Sequence, residues 1–271
     1  MNKSEKKVGF IGCGHMASAI IKGILEAKFL SPENVFASEI NEEYANKKEQ
    51  ELKIKIFTDN KTLVQNSDVI VVATKPNCVK EVLEAVKKDI SSEKLVVSIA
   101  AGVSTKKIED ALEKNISTIR VMPNGPAMVL EGMSGIAKGK FATEEDVNFV
   151  KELLSNIGEC IVIDEAQIDI VTAISGSGPA FFYKIINEMA RAGEKLGLDY
   201  KKSLLLAAQT AIGSAKLMMA SELSAESLIE GISTKGGCTE VGVNYMNERK
   251  TDELFFNLIE KTAQKANELG K

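Results

Sequence analysis

The 271-residue chain has no tryptophan and a single histidine, His15. A mechanism that relies on a histidine acid or base must therefore use His15 or do without. The four cysteines, Cys13, Cys78, Cys160 and Cys238, are scattered, with no C-x-x-C pair and no Cys/His cluster. Neither a zinc site nor a disulfide framework is expected, and no metal is assigned. There is no long basic run, and the net charge is −4 at pH 7, so the chain has no electrostatic footprint for nucleic acid or an anionic membrane. No uninterrupted apolar stretch of about 18 residues occurs, and the opening MNKSEKKVGF has no signal-peptide pattern. The expectation is a cytoplasmic protein acting on a small molecule, with no nucleic-acid or membrane partner.

What is present is the composition of a packed chain, 44% hydrophobic and 27% charged. From residue 7 to 164 short apolar runs alternate with amphipathic stretches. The runs fall at 8–11, 35–37, 54–57, 69–73, 95–99, 119–122, 135–137 and 160–163. That alternation predicts an α/β half with strands joined by crossover helices. Thr143 with Asp146 predicts a helix cap. After 163 the segments 166–174, 180–196, 200–219 and 240–269 are rich in Ala, Leu, Met, Glu and Lys with apolar residues three and four apart, predicting helices. The division expected is 1–165 and 166–271. Leu204 to Leu206 and Phe181 to Phe182 lie on helices apolar around most of their circumference, which a second subunit would cover.

Residues 8–19, VGFIGCGHMASA, read as strand, glycine turn and helix start. Gly12 permits the tight turn, Gly14 lets a pyrophosphate approach the backbone, and Ala17 allows close helix-to-strand packing. This predicts a Rossmann-like, doubly wound, mostly parallel sheet, with Ile11, Gly12, Cys13, Gly14, His15 and Met16 around a dinucleotide. At the end of the second strand Glu39 favours NAD, whereas the hydroxyl of Ser38 favours NADP. The later strand ends, Ala73-Thr74-Lys75-Pro76 and Ala100-Ala101-Gly102, lie where such a sheet presents its ligand crevice. In the helical half, Ser175-Gly-Ser177-Gly178-Pro-Ala and Ser233-Thr-Lys-Gly236-Gly237-Cys-Thr239 read as glycine-rich helix starts. Their amides and hydroxyls would suit a small carboxylate.

Six motifs in order, Gly12-x-Gly14-x-Met16-x-x-Ala19, Lys75-Pro76, Ala100-Ala101-Gly102, Val121-Met-Pro-Asn124-x-Pro126, Ser175-Gly-Ser-Gly-Pro-Ala180 and Gly236-Gly237-x-Thr239, give the chain its resemblance to pyrroline-5-carboxylate reductases over essentially its full length. Gly125, where that family usually has threonine, and Lys235, where proline is commoner, depart from the pattern. The resemblance implies hydride transfer from NAD(P)H to the imine carbon of (S)-1-pyrroline-5-carboxylate, giving L-proline. It implies NADPH as preferred cofactor with NADH accepted, and a homo-oligomer built from dimers through an all-α C-terminal dimerisation domain. Thr239 and Ser175 would be catalytic. Glu131, Ser177, Gly178, Gly236 and Gly237 would bind substrate with Thr239, while Ser38, Asn60, Lys75 and Ala101 match cofactor-contacting positions. The nearest rival is a β-hydroxyacid dehydrogenase, whose glycine turn and helical lysine and asparagine are imitated by Gly178, Lys184 and Asn187. A non-catalytic NADP-binding sensor or scaffold is the third reading.

Overall fold

Runs such as Val69-Ile-Val-Val72 have β-branched side chains on both faces, which suits strands covered by helices above and below. The computed structural model describes residues 6–270. In chain order the sheet-bearing part runs β1 (Val8–Ile11), α1 (His15–Glu26), β2 (Val35–Ser38), α2 (Glu42–Leu52), β3 (Lys55–Phe57), α3 (Asn60–Gln65), β4 (Val69–Val72) and α4 (Val79–Val86). It continues with β5 (Leu95–Ser98), α5 (Thr105–Leu112), β6 (Ser117–Met122), β7 (Gly132–Lys138), α6 (Glu144–Leu154), β8 (Gly158–Val162) and the short α7 (Ile168–Val171). Each of the eight apolar runs expected to be a strand is one, within a few residues at its ends. The cap expected at Thr143 is a full capping box with Asp146 at the start of α6.

The strands form one sheet in the order β3-β2-β1-β4-β5-β6-β7-β8. The first six pair in parallel, β7 runs antiparallel to β6, and β8 is parallel to β7. The chain reverses direction across the sheet between β1 and β4, which is where a doubly wound sheet opens its ligand crevice. Successive residues feed opposite faces. Phe10, Val69 and Val71 pack beneath α1 and α6 with Ile20, Ile24 and Phe149, whereas Ile11, Ile70 and Val72 pack with Leu63, Leu83 and Ile108.

The helical part comprises α8 (Gly178–Lys195), α9 (Tyr200–Ala220), α10 (Ala225–Ile232), α11 (Cys238–Glu248) and α12 (Thr251–Gly270). Three details differ from the sequence reading. The segment 240–269 is two helices, because Lys250 turns left-handed at φ 53° and Thr251 with Asp252 and Glu253 begins a new helix. The segment around 225–232, not expected to be helical, is α10, capped by Ser224. The segment 166–174 carries only one turn of α-helix before widening into a π turn, Thr172–Gly176.

By compactness, residues 6–177 with 262–270 form one unit and 178–261 the other. Within the second unit, Gly193 on α8 lies so close to Ser203 on α9 that a Cβ there would meet the serine Oγ at 2.5 Å, and Tyr200 Oη donates to Asn187 Oδ1 at 2.9 Å. Little else is buried: α8 and α9 bury only Gly178, Ala190, Ser203 and Ala207, and α10 and α11 bury no residue. Phe182, Leu205, Leu206, Met219 and Val241 are all at least 60% exposed. α9 is long and apolar enough, by length and composition, to cross a membrane. A helical unit that leaves this much apolar surface uncovered suits burial against a second subunit. Sedimentation at micromolar concentration is expected to give a dimer or larger assembly, and replacing Leu205 and Leu206 together by glutamate is expected to shift it to monomer. A monomeric unmodified chain would contradict this reading.

Candidate active site

The crevice is built around one close crossing. Gly12 has φ +93°, and a Cβ there would lie 3.0 Å from the Ala73 carbonyl oxygen and 3.4 Å from Thr74 Cγ2. Its N–H donates to the Ser38 carbonyl at 3.0 Å, while Ala73 N–H donates to the Ile11 carbonyl at 2.9 Å. The ends of β1, β2 and β4 are thus tied at one point, and only glycine fits the backbone there without strain. Gly14 precedes α1 in extended conformation, and a Cβ there would meet no atom within 4 Å. This glycine borders open space at a helix N-terminus, where unpaired amides favour an anion.

The other loop residues divide by where their side chains go. Ile11 and Cys13 point into the core, each at most 1% exposed, so only their backbone can face a ligand. Burial pushes the Cys13 thiol up from its ordinary value. Ser18 Oγ and Tyr44 Oη each donate to the Cys13 carbonyl at 3.4 Å. Tyr44, which the sequence reading did not single out, therefore braces the glycine loop from α2, whose start is capped by Asn41. His15 is exposed and Met16 half-buried.

Ser38 and Asn60 come together: the Ser38 hydroxyl is buried and donates to Asn60 Oδ1 at 2.7 Å. Glu39 Oε1 accepts from the Asn41 N–H at 3.4 Å, on the same strand end. At the end of β4, Thr74 Oγ1 is buried without a hydrogen-bond partner, while Lys75 and Pro76 are exposed. After β5, Ala100 is buried and Ala101 exposed. The open space at Gly14 and the unpartnered Thr74 hydroxyl, both at the C-terminal edge of the sheet, fit a dinucleotide whose polar groups complete those contacts.

The expected helix starts at Gly178 with Pro179 in its first turn, but Ser175 and Gly176 before it belong to a π turn. Ser177 N–H donates to the Thr172 carbonyl at 2.8 Å, closing a π turn that runs straight into α8. Ser175 Oγ donates to the Val171 carbonyl at 3.0 Å. As a proton donor to a substrate, that hydroxyl would have to release this bond. Glu131 is exposed between Leu130 and β7. In the second unit, the Gly236 N–H donates to Glu240 Oε2 at 2.7 Å, and the Gly237 N–H to the Thr234 carbonyl at 2.8 Å. Both amides expected to hold a carboxylate are thus engaged within their own loop. Helix geometry instead directs the amides of Cys238, Thr239 and Glu240, at the first turn of α11, outward without intrahelical partners.

Residues 165–269 match the family model for pyrroline-5-carboxylate reductase dimerisation, and residues 7–102 that for NADP oxidoreductase coenzyme F420-dependent. A pyrroline-5-carboxylate reductase of Methanosarcina acetivorans is 40% identical over 267 residues, 98% of this chain and 99% of that one. The chain belongs to the pyrroline-5-carboxylate reductase family. The Aquifex aeolicus member is 36% identical, over 97% of each chain. The solved structure of a pyrroline-5-carboxylate reductase from Coxiella burnetii superposes with a TM-score of 0.94 at 30% identity, covering 98% of this chain and 99% of that one. A Plasmodium falciparum pyrroline carboxylate reductase with NADP bound superposes with a TM-score of 0.87 at 30% identity and 99% coverage of both.

For a reductase with this crevice, the two glycines have separable roles. Gly14→Val is expected to fold normally, since its side chain meets only open space, yet to weaken NADPH binding about tenfold or more in a fluorescence titration. Gly12→Val is expected to lower the melting temperature, because its side chain meets backbone. Unchanged affinity in Gly14→Val would remove the glycine loop from the cofactor site.

Proposed function

We propose that the chain reduces (S)-1-pyrroline-5-carboxylate to L-proline, the last step of proline biosynthesis, using NADPH in preference to NADH. The observation that carries this is family membership across both halves of the chain, joined to a crevice that suits a dinucleotide. NADPH, when bound, supplies the hydride. The hydride's electron pair forms the new C–H bond at the imine carbon, and the ring nitrogen keeps a proton taken from solvent or a neighbouring donor. An imine nitrogen protonates far more readily than a carbonyl oxygen, so no dedicated histidine is required, and catalysis rests on orientation and electrostatics.

The residues assigned to this work are those that the family motifs carry. The first-turn amides of α11 suit the substrate carboxylate, and the Thr239 hydroxyl, also in that turn, would donate to the ring nitrogen or carboxylate. Ser175, Ser177, Gly178 and Glu131 would serve substrate binding, as the family motifs imply. Gly236 and Gly237 would shape the loop rather than bind through their own amides, which are already engaged. Lys75, Pro76, Ala100 and Ala101 would border the nicotinamide side of the crevice, and His15 and Met16 the phosphate side.

The rival reading as a β-hydroxyacid dehydrogenase would make Lys184 the acid/base. Lys184 is exposed and paired with Glu188 at 2.6 Å, one helical turn on, while Asn187 accepts from Tyr200. That geometry favours a solvated ion pair. We further assign the protein to a homodimer or assembly of dimers through its helical domain. The dimerisation-model match and the exposed apolar helices support this. A cytoplasmic location is supported by all four cysteines being free thiols.

A spectrophotometric assay with the imine, a 3-hydroxy acid and no substrate tests the assignment; turnover of the imine alone is expected. Thr239→Ala should lower kcat/KM for the imine roughly ten- to a thousandfold, the range for a lost oriented hydrogen bond up to a lost transition-state donor. NADPH affinity should barely change, whereas His15→Asn should act mainly through cofactor binding. The opposite pattern would break the division into a phosphate site and a carboxylate site.

Cofactor choice hinges on Glu39, since the Ser38 hydroxyl is buried against Asn60. Steady-state kinetics should show NADPH preferred with measurable NADH activity. Glu39→Gln should raise the NADPH-to-NADH efficiency ratio by removing a charge that repels a 2′-phosphate. A fall in that ratio would contradict this role.

A further inference from the structure

Asn124 is part of the motif Val121-Met-Pro-Asn124-x-Pro126. It follows β6 and is 9% exposed. Its side-chain amide makes two bonds in different directions: Nδ2 donates to the Ser175 carbonyl at 3.0 Å, and Oδ1 accepts from the Met133 N–H on β7 at 2.9 Å. The first partner is informative. In a regular helix the Ser175 carbonyl would accept from the amide four residues on, but that residue is Pro179, which has no N–H. The π turn that ends at Gly176 therefore leaves a carbonyl that needs a donor from elsewhere, and Asn124 supplies one. The same strand end touches the turn a second time: a Cβ on Gly176 would meet Met122 Cε at 2.6 Å. Single π turns are strained insertions and concentrate at functional sites, where neighbouring structure must hold them open.

We propose that Asn124 is a positioning residue of the reductase. By holding the Ser175 carbonyl against the sheet it fixes the π turn 172–176, and with it the Ser175 and Ser177 groups that line the substrate pocket. The inference rests on the reading of that turn as part of the imine site, and it concerns substrate rather than cofactor. Asp is the informative replacement. It keeps the acceptor for Met133 N–H and the shape of the side chain, but it sets an oxygen in place of the donor that Ser175 requires.

In the full-length enzyme, Asn124→Asp is expected to raise KM for the imine and lower kcat/KM about tenfold or more, with the NADPH dissociation constant within about twofold of the unmodified value. Hydrogen exchange should become about tenfold faster or more in peptides covering 172–178, and stay unchanged in those covering β1 and β4. A general structural defect would instead speed exchange throughout and weaken NADPH binding in parallel. Wild-type imine kinetics in the variant, unchanged exchange at 172–178, or acceleration everywhere would each overturn the proposal. Should Asn124→Asp not fold, Asn124→Ser, which shortens the side chain away from the carbonyl, is read by the same measurements. If the unmodified enzyme does not reduce the imine, the functional reading fails on that result. The exchange data then still decide whether Asn124 holds the turn.

Discussion

The close crossing of the backbone at Gly12 is the constraint on which the crevice depends. There the end of β1 passes within a Cβ's reach of the Ala73 carbonyl while bonding to Ser38, so three strand ends are pinned at the point where the sheet reverses its winding. Everything that would touch a dinucleotide is referred to that pin. The start of α1 and the unpartnered Thr74 hydroxyl follow it directly, and the Ser38–Asn60 pair sits on the neighbouring strand end. The surrounding core is stiff on both faces, since alternating β-branched residues of β1 and β4 are buried against helices above and below.

A different economy governs the helical unit. Its helices bring small residues into contact, as at Gly193 and Ser203, but leave most large apolar side chains uncovered. Such a unit gains little from its own burial and is stabilised chiefly by what covers it. Two polar devices handle local backbone needs. One is the first turn of α11, whose amides have no intrahelical partner. The other, in the sheet-bearing unit, is the π turn 172–176, whose Ser175 carbonyl accepts from Asn124.

The chemistry asked of these parts is modest. A basic imine needs a hydride, a proton and correct placement, which suits a chain with one histidine, at its glycine turn, and none elsewhere. Lys184, the one side chain that would have supported a different dehydrogenase mechanism, is satisfied on an exposed helix face by Glu188.

The strands are legible in the amino-acid sequence, because short continuous runs rich in β-branched residues, bounded by turns and amphipathic stretches, are local signals. The glycine turn, the helix cap at Thr143 and the change from strands to helices beyond residue 163 are equally local. Local signals mislead where the backbone's partner lies far along the chain. The break at Lys250 needed a left-handed residue that composition does not announce, and Gly236 and Gly237, which read as free amides, are taken by Glu240 and Thr234. Ser175-Gly-Ser-Gly-Pro reads as a helix start, since proline and glycine favour one. The helix does start there, at Gly178 with Pro179 in its first turn, but the π turn 172–176 that runs into it is not legible locally, since the donor to its Ser175 carbonyl is Asn124, fifty-one residues earlier in the chain. Hydrogen-bond demand is written locally, but its satisfaction across such a separation is decided by packing.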